Sequence, residues 1–309
     1  MARSTKKTRT TRKPGNAKKA ASRKAGARST RRPAAKRASK GVGGFAEVNG
    51  LHMYYEVHGK GQPLVLLHGA FSAIGSSFGK MLPGLAAGGR QVIGLEMQGH
   101  GRTADIDRPL SIPQFADDTA TFITQRGQGP ADVFGYSMGA AVALQVAIRH
   151  PAVVRKLVIM SVATKGSGIH PGLMDGLGQM KPEMMYGSQW YEEYSRIAPR
   201  PEDFNTLFAK KTEMDRGTQD VPDEAVQSIQ APVLFIIGDS DLVRPEHAVE
   251  VFRLLGGGVF GDMAGLPKSR LAVLPATSHV GASERVDWVV SMVNEFLDAP
   301  MPVSGPTNG

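Results

Sequence analysis

The sequence predicts an α/β protein in which a mainly parallel, doubly wound sheet carries a helical insertion and follows a disordered basic tail. Short apolar runs alternate with helical runs from about residue 45 to residue 300. That alternation is typical of a parallel sheet with helices on both faces. The rhythm is interrupted at about 164–229, where helix-like runs alternate with Gly and Pro and no strand is evident. We therefore expect a tail over 1–41, then one domain over 42–309 with a helical cap at about 164–229.

The tail differs from the rest of the chain in charge and in apolar content. Residues 1–40 contain 16 Lys or Arg, no Asp or Glu, and none of Leu, Ile, Val, Phe, Tyr or Trp. Such a segment cannot bury enough apolar surface to offset the entropy lost on ordering, so we expect disorder. Its charge would bind a polyanion such as nucleic acid through counterion release, without sequence specificity. An extension with no selected role and an organelle transit peptide are the alternatives.

The composition also argues against several classes of site. The chain has no Cys, which excludes disulfides, thiolate metal sites and cysteine nucleophiles. No His or carboxylate cluster has metal-ligand spacing, and no glycine-rich loop has the spacing of a dinucleotide or Walker site, so we expect neither a metal nor a cofactor. No apolar stretch approaches the roughly 20 residues that span a bilayer, and the N-terminus lacks the apolar core of a secretory signal. We expect a cytoplasmic protein without a membrane span.

The first half of the domain begins with a predicted hairpin. Two runs rich in strand-forming residues flank Asn49-Gly50, a dipeptide that accepts positive φ at both central positions of a two-residue turn. Residues 63–67 are wholly apolar, as expected of a strand covered on both faces, and they end in His68-Gly69. The predicted elements that follow are helical sequence to about residue 87, a strand at 91–95, a helix at 111–125 and a strand at 131–134.

The second half continues the alternation on both sides of the cap. The predicted elements are, in order, a helix at 140–150, a strand at 153–161, cap helices at 189–197 and 203–215, a strand at 232–237, a helix at about 245–255, a strand at 271–274 and a helix at about 284–297. The carboxyl ends of parallel strands lie at one edge of their sheet, where ligands bind in open α/β folds. The loops that follow these strands therefore hold the candidate functional residues.

The most informative motif is residues 135–139, Gly-Tyr-Ser-Met-Gly, which join a predicted strand to a predicted helix. Gly-x-Ser-x-Gly in that context is the nucleophile elbow. The turn is so tight that the residues two before and two after the serine must be small, and the serine hydroxyl is exposed above the sheet. The motif predicts Ser137 as a nucleophile.

A serine nucleophile needs a base that accepts its proton and an acid that orients the base. Candidates for both follow later strands. Asp239 and Asp241 come directly after the strand at 232–237, and His279 follows the strand at 271–274. Serine, then a carboxylate, then histidine is the chain order expected for a nucleophile elbow. We expect the three loops to meet at the carboxyl edge of the sheet.

Five motifs in one order resemble the α/β-hydrolase fold enzymes that carry a cap. They are the His-Gly turn at 68–69, the Gly-His-Gly-Arg loop at 99–102, the elbow at 135–139, the Gly-Asp-x-Asp-x-x-x-Pro loop at 238–245 and the Ser-His loop at 278–279. The resemblance covers about residues 45–300 and leaves the tail out. A serine at the elbow argues against haloalkane dehalogenases and epoxide hydrolases, which look similar but use aspartate there.

The resemblance implies roles for particular residues. It implies a catalytic triad in which Asp241 is the acid, with Asp239 as the alternative. It also implies an oxyanion hole made by the backbone N–H of Met138 and by a second N–H from Ala70 or, as the weaker candidate, Phe71. These backbone donors impose little on side-chain identity.

The remaining histidines are expected to be structural. His247 lies in the helix after the acid loop, where a solvated position is expected. The others fall in the early hairpin, in the 99–102 loop, at a helix end and in the cap; they are His52, His58, His100, His150 and His170.

The predicted activity is hydrolysis of small to medium apolar carboxylic esters by Ser137, Asp241 and His279 through an acyl-enzyme. Three alternatives remain open: cofactor-free perhydrolysis, hydrolysis of carbon–carbon bonds, and a protein located by its basic tail on a polyanion. Large cap side chains could line an adaptable apolar pocket, although packing of the cap onto the domain is the favoured interpretation for each. They are Met174, Met180, Met184, Met185, Tyr186, Trp190, Tyr191, Tyr194, Phe204 and Phe208.

Overall fold

The computed structural model describes residues 1–2, 41–127 and 129–302. The predicted disordered tail, apart from its ends, lies outside the described residues. The strands are β1 (Val42–Val48), β2 (Leu51–Gly59), β3 (Gln62–Leu67), β4 (Arg90–Leu95), β5 (Ala131–Tyr136), β6 (Val154–Met160), β7 (Val233–Ser240) and β8 (Arg270–Ser278). Each strand predicted from the sequence is present and overlaps one of these ranges.

Within the described residues, all eight strands form one sheet in the order β1-β2-β4-β3-β5-β6-β7-β8. β2 runs antiparallel to both β1 and β4, and every other neighbouring pair is parallel. The α-helices are α1 (Ile74–Phe78), α2 (Leu82–Ala87), α3 (Ile112–Arg126), α4 (Met138–Arg149), α5 (Leu173–Gly178), α6 (Gln189–Ile197), α7 (Phe204–Gly217), α8 (Asp223–Gln227), α9 (Pro245–Leu254), α10 (Gly261–Ala264) and α11 (Val286–Asp298). The predicted fold class, a mainly parallel doubly wound sheet, is confirmed.

The hairpin between β1 and β2 has the predicted two-residue turn. Val48 pairs with Leu51, and φ is 50° at Asn49 and 79° at Gly50. Positive φ at both positions gives the turn a twist that matches the strands, which is why Asn-Gly is favoured there.

Buried apolar clusters cover both faces of the sheet. In β3, Val65 and Leu67 belong to one cluster, whereas Leu64 and Leu66 belong to the other. Successive side chains of a strand point to opposite faces, so a strand covered on both sides has no polar position. This burial explains the uninterrupted apolar runs of the central strands.

The segment between β6 and β7 is helical, as predicted. Its α6 matches the predicted 189–197, and α7 begins one residue after and ends two residues after the predicted 203–215. Across this segment, which the structure describes completely, strand-type pairing is limited to a single bridge between Ile169 and Val243. Treating residues 164–229 as a cap on a 42–309 domain stays a prediction; we keep the name cap for this segment.

β8 is longer than the predicted 271–274 because it continues through Pro275. A proline is tolerated there because β8 is the edge strand of the sheet. The pairing with β7 shifts register between Gly238 and Ser240, where Leu274 and Ser278 are the successive partners. This bulge, with Ala276 at a φ of 48°, directs the chain that follows β8.

Candidate active site

Ser137 lies between β5 and α4 in a strained backbone conformation. Its φ is 55° and its ψ is −120°, a combination that non-glycine residues rarely adopt. Both flanking glycines are sterically required, because a Cβ on Gly135 would collide with the carbonyl oxygen of Gly139 and a Cβ on Gly139 would collide with that of Leu67. The turn is anchored by the Ser137 N–H, which donates to the Met160 carbonyl at 2.9 Å.

His279 follows β8 and lies against Ser137. Its Nε2 is 2.9 Å from the Ser137 Oγ. The Tyr136 ring stacks on the imidazole with centroids 5.6 Å apart, and its hydroxyl donates to the His279 carbonyl at 3.0 Å. The residue before the serine therefore fixes both the backbone and the ring of the histidine.

Asp241 lies on the other side of the imidazole. Its Oδ1 is 2.7 Å from Nδ1 of His279, and its Oδ2 accepts from the Ser161 hydroxyl at 2.6 Å and from the Gly238 N–H at 3.2 Å. Burial raises the pKa of Asp241, but the hydrogen bonds from His279, Ser161 and Gly238 outweigh burial and hold the pKa below its ordinary value. A carboxylate only accepts, so Nδ1 carries the proton and Nε2 is left to accept from Ser137.

Asp239, the alternative acid, has a different set of partners. Its carboxylate accepts from the N–H groups of Ala276 at 2.8 Å and of Thr277 at 3.1 Å. These two N–H groups hold the pKa of Asp239 below its ordinary value. Asp239 thus fixes the bulge of β8, whereas Asp241 contacts the imidazole.

The turn after β3 lies close to the serine. A Cβ on Gly69 would lie 3.5 Å from the Ser137 Cβ. In the part of the chain that the structure describes, the N–H groups of Ala70 and Met138 donate no hydrogen bond to a protein group. Phe71, the weaker candidate for the second donor, has a φ of 57°. The N–H groups of Ala70 and Met138 are therefore free for a ligand beside Ser137.

His68 holds this turn in place. Its Nδ1 donates to the Gly69 carbonyl at 2.8 Å, and its Nε2 accepts from the Met97 N–H at 3.1 Å. Burial lowers the pKa of His68, the hydrogen bond to the Gly69 carbonyl raises it by less, and the resulting pKa is about 4. The imidazole is neutral at pH 7 and bridges the ends of β3 and β4.

Comparison with known proteins places the chain in a family. Residues 62–226, more than half of the chain, match the family model described as alpha/beta hydrolase fold. The chain belongs to the α/β-hydrolase fold family. It is 25% identical over 269 residues to the putative non-heme bromoperoxidase BpoC of Mycobacterium tuberculosis, covering 80% of this chain and 98% of that protein. It is 24% identical over 264 residues to the mouse serine hydrolase BPHL, covering 81% and 84%.

Solved structures show the same fold. A meta-cleavage product hydrolase from Pseudomonas fluorescens aligns with a TM-score of 0.65 at 20% identity, covering 83% of this chain and 98% of that one. With the family assignment, these likenesses identify the chain as an α/β-fold hydrolase. Within the described residues, no helix combines the length and apolarity needed to span a bilayer, and no three His, Asp or Glu side chains group as metal ligands would.

Two residues that contact the candidate site were missed from the sequence. Ser161 follows β6, has a φ of 62° and donates to Asp241. Its position could have indicated this contact, because Ser161 follows β6, the neighbour of the strand that leads to Ser137. The second, Tyr136, lies inside the elbow motif, where the pattern allows any residue.

The expectation that His247 is solvated is wrong. His247 is 1% exposed, and its Nε2 accepts from the Thr164 N–H at 3.1 Å. The nitrogen Nδ1 lies 3.1 Å from a carboxylate oxygen of Glu250. The histidine ties α9 to the first residue of the cap, because the face of α9 that carries it is covered by that segment.

Packing accounts for four of the ten large cap side chains. Four of them are buried in the apolar cluster: Met185, Tyr194, Phe204 and Phe208. Phe204 contacts Tyr191 and Tyr194 edge-on, and Phe208 stacks on Phe71 with centroids 5.4 Å apart. The packing interpretation is confirmed for these four residues.

Proposed function

We propose that the chain is a serine hydrolase that cleaves small to medium apolar carboxylic esters with Ser137, His279 and Asp241. The observation that carries this proposal is the unbroken pair of hydrogen bonds, 2.9 Å from Ser137 Oγ to His279 Nε2 and 2.7 Å from His279 Nδ1 to Asp241 Oδ1. Both lengths suit proton transfer and orientation without further movement.

Acylation begins when Ser137 Oγ forms a bond to the ester carbonyl carbon while its proton passes to His279 Nε2. The carbonyl electron pair moves to oxygen, which gives a tetrahedral oxyanion. Asp241 holds the imidazole tautomer and stabilises the imidazolium. When the intermediate collapses, the bond to the alcohol oxygen breaks, that oxygen takes the proton from His279, and the acyl group stays on Ser137.

Deacylation repeats the sequence with water. His279 accepts a proton from a water molecule as its oxygen attacks the acyl carbon. The bond to Ser137 Oγ then breaks, Oγ recovers a proton from His279, and the carboxylic acid leaves.

The oxyanion would be bound by the N–H groups of Ala70 and Met138. Within the described residues both N–H groups lack a protein partner, as does that of Phe71, and Ala70 follows Gly69, where a Cβ would lie 3.5 Å from the Ser137 Cβ. These observations support the assignment. α4 begins at Met138, so its N-terminal dipole also favours negative charge at this point.

Hydrolysis of p-nitrophenyl acetate, butyrate and octanoate by the full chain tests the proposal. We expect Ser137→Ala to lower kcat by roughly 10⁶-fold, the loss that follows removal of a triad nucleophile. Ser283→Ala is the matched control, because its hydroxyl bonds only to the Val280 carbonyl and the variant should keep wild-type activity. Ester turnover that survives Ser137→Ala would overturn the nucleophile.

A perhydrolase or a carbon–carbon bond hydrolase would give a different pattern. Two of the similar proteins are named as a bromoperoxidase and a meta-cleavage product hydrolase, and those activities are not assigned to this chain. The ester assignment would be wrong if the protein turned over no ester but formed a peracid, or cleaved a ring-fission product, in a reaction that requires Ser137.

The composition of residues 1–40 favours a second candidate function, tethering to a polyanion. Sixteen cations without a carboxylate would bind DNA with steep salt dependence. We expect deletion of residues 1–40 to abolish retention on DNA–cellulose at low salt and to leave ester turnover unchanged. Retention that persists after the deletion, or that is flat with salt, contradicts tethering.

A further inference from the structure

A cavity of about 590 Å³ lies between the cap and helices α3 and α4. Its lining does not include Ser137, Asp241 or His279. The volume falls in the range of small-molecule sites, roughly 300–1,000 Å³. The proposed roles of Ser137, Asp241 and His279 therefore do not account for this cavity, which is large enough for a ligand.

The cavity reaches the helix that begins at the nucleophile elbow. Ala141, one helical turn past Ser137, lines it, and so do Leu144 and Gln145 on the next turn of α4. At a rise of 1.5 Å per residue, the cavity runs along α4 from about 6 Å to about 12 Å beyond the serine. On the side of the sheet, Ala163 lines it two residues after Ser161, the partner of Asp241.

The wall of the cavity is mainly apolar. It is formed by side chains from the start of α3, from α4 and from the cap: Leu110, Ile112, Leu144, Ile169, Met214 and Val221. The lining residues that follow Ser137 and Ser161 most closely in the chain, Ala141 and Ala163, are small.

The charged residues around the cavity have partners. Lys165 pairs with Asp223 at 2.7 Å, and Lys210 pairs with Asp105 at 2.6 Å. The lining carboxylates are engaged in the same way, by a cation or by an N–H group: Glu213 with Arg216, Asp215 with Lys211, and Asp220 with the Gly166 N–H. An uncharged ligand therefore suits this site better than a carboxylate or an amine, since neither would find an uncompensated charge.

We propose that the cavity binds the unbranched hydrocarbon chain of a medium-length acyl ester whose carbonyl group lies at Ser137. The placement of the ester carbonyl at Ser137 rests on the proposed function, and the apolar character of the bound group rests on the residues that line the cavity. An acetyl group is too short to pass the first turn of α4, which is about 5.4 Å long. An octanoyl chain extends past Ala141 and contacts Leu144, so the cavity makes the enzyme selective for chain length.

The ratio of kcat/KM for p-nitrophenyl octanoate to that for the acetate measures this selectivity. We expect Ala163→Leu to lower the ratio about tenfold, the effect of blocking one or two methylene positions in an apolar pocket. Ala198→Leu is the matched control, because Ala198 is also partly buried against the same apolar cluster and does not line the cavity. An unchanged ratio in Ala163→Leu would overturn the proposal even if Ser137→Ala abolishes hydrolysis.

Calorimetric binding of octanamide, an uncharged probe, tests the cavity without turnover. In the Ser137→Ala background we expect binding that Ala163→Leu weakens about tenfold and Ala198→Leu leaves unchanged. Binding that depends on Ala163 in a chain that hydrolyses no ester would reject the proposed function and keep the cavity. Equal binding with and without Ala163→Leu, or no binding, would reject the cavity.

Discussion

The loops at the carboxyl edge of the sheet and the helices of the cap are held in different ways. In the loops, strained backbone and hydrogen bonds fix each group, as at Ser137, Ser161 and Ala276, which all have positive φ. In the cap, apolar contacts such as those of Phe204 and Phe208 dominate. Hydrogen bonds are directional and apolar contacts are not, so the loops can fix reacting atoms while the cap shapes a cavity.

This difference separates effects on catalysis from effects on stability. A substitution in a loop should change turnover with little change in folding, because few apolar contacts are lost. A substitution in the buried face of the cap should do the opposite.

The two aspartates of the acid loop give the largest contrast. We expect Asp241→Asn to lower kcat by about 10⁴-fold, because an amide cannot hold the Nδ1–H tautomer of His279. Asp239→Asn should lower it less than tenfold, since Asp239 contacts only the β8 bulge and Ser240. Steady-state kinetics on p-nitrophenyl acetate compare them, and equal losses would contradict the assignment of the acid.

In the cap, Phe204→Ala should lower the free energy of unfolding by about 4 kcal/mol, the cost of a large cavity in a core. Its ring is 2% exposed and contacts Phe71, Tyr191 and Tyr194. Tyr186→Ala, at an exposed neighbour, should cost less than about 1 kcal/mol. Urea titration measures both, and a kcat loss without a stability loss in Phe204→Ala would break the contrast.

Acid should destabilise the chain through its buried histidines. Burial, with the neighbouring His68 as a smaller cause, lowers the pKa of His100 to about 3. A depressed pKa gives stability that is present above the unfolded value near 6.5 and is lost as the pH falls toward 3. The loss from His100 alone is on the order of 3 kcal/mol by pH 4.

His100→Asn should remove much of that pH dependence. The amide of Asn can replace the Nδ1 hydrogen bond to the Gln98 carbonyl, and it does not titrate. Denaturant titrations at pH 7 and pH 4 compare the two proteins. An equal loss of stability in both would mean that His100 does not carry the effect.

Ser161→Ala should have a small effect confined to catalysis. The hydroxyl donates at 2.6 Å to Asp241 Oδ2, and Asp241 keeps the Gly238 and His279 bonds without it. We expect kcat to fall up to about tenfold, consistent with the loss of one hydrogen bond to a charged group. Because Ser161 acts through Asp241, the acid limb of the plot of kcat against pH should shift in this variant. A merely structural role would leave that limb in place.

The same contrast explains how much could be predicted from the sequence. The buried strands were predictable because a strand covered on both faces must be apolar, as β3 is. Most helices were predictable from the helical runs that alternate with those strands. The His279 contact followed from chain order and sheet topology. The resemblance favoured Asp241 over Asp239, but the register shift in β8, which brings Ala276 and Thr277 to Asp239, was not visible in the residue pattern.

Features that depend on tertiary packing could not be predicted. The burial of His247 arises from the cap residue Thr164 that covers it, more than eighty positions away in the chain. The cavity is likewise bounded by segments distant in sequence, such as those around Leu110 and Val221. Apolar residues look alike in a sequence whether they fill a core or line a space.

The most direct test of the central claim is covalent labelling of the full chain with a fluorophosphonate, followed by peptide mass mapping. This reagent phosphonylates a serine that is activated by a neighbouring base. We expect one adduct, on Ser137, and none on Ser137 in the His279→Ala variant. Labelling of a different serine, or labelling of Ser137 that survives loss of His279, would contradict the proposed site.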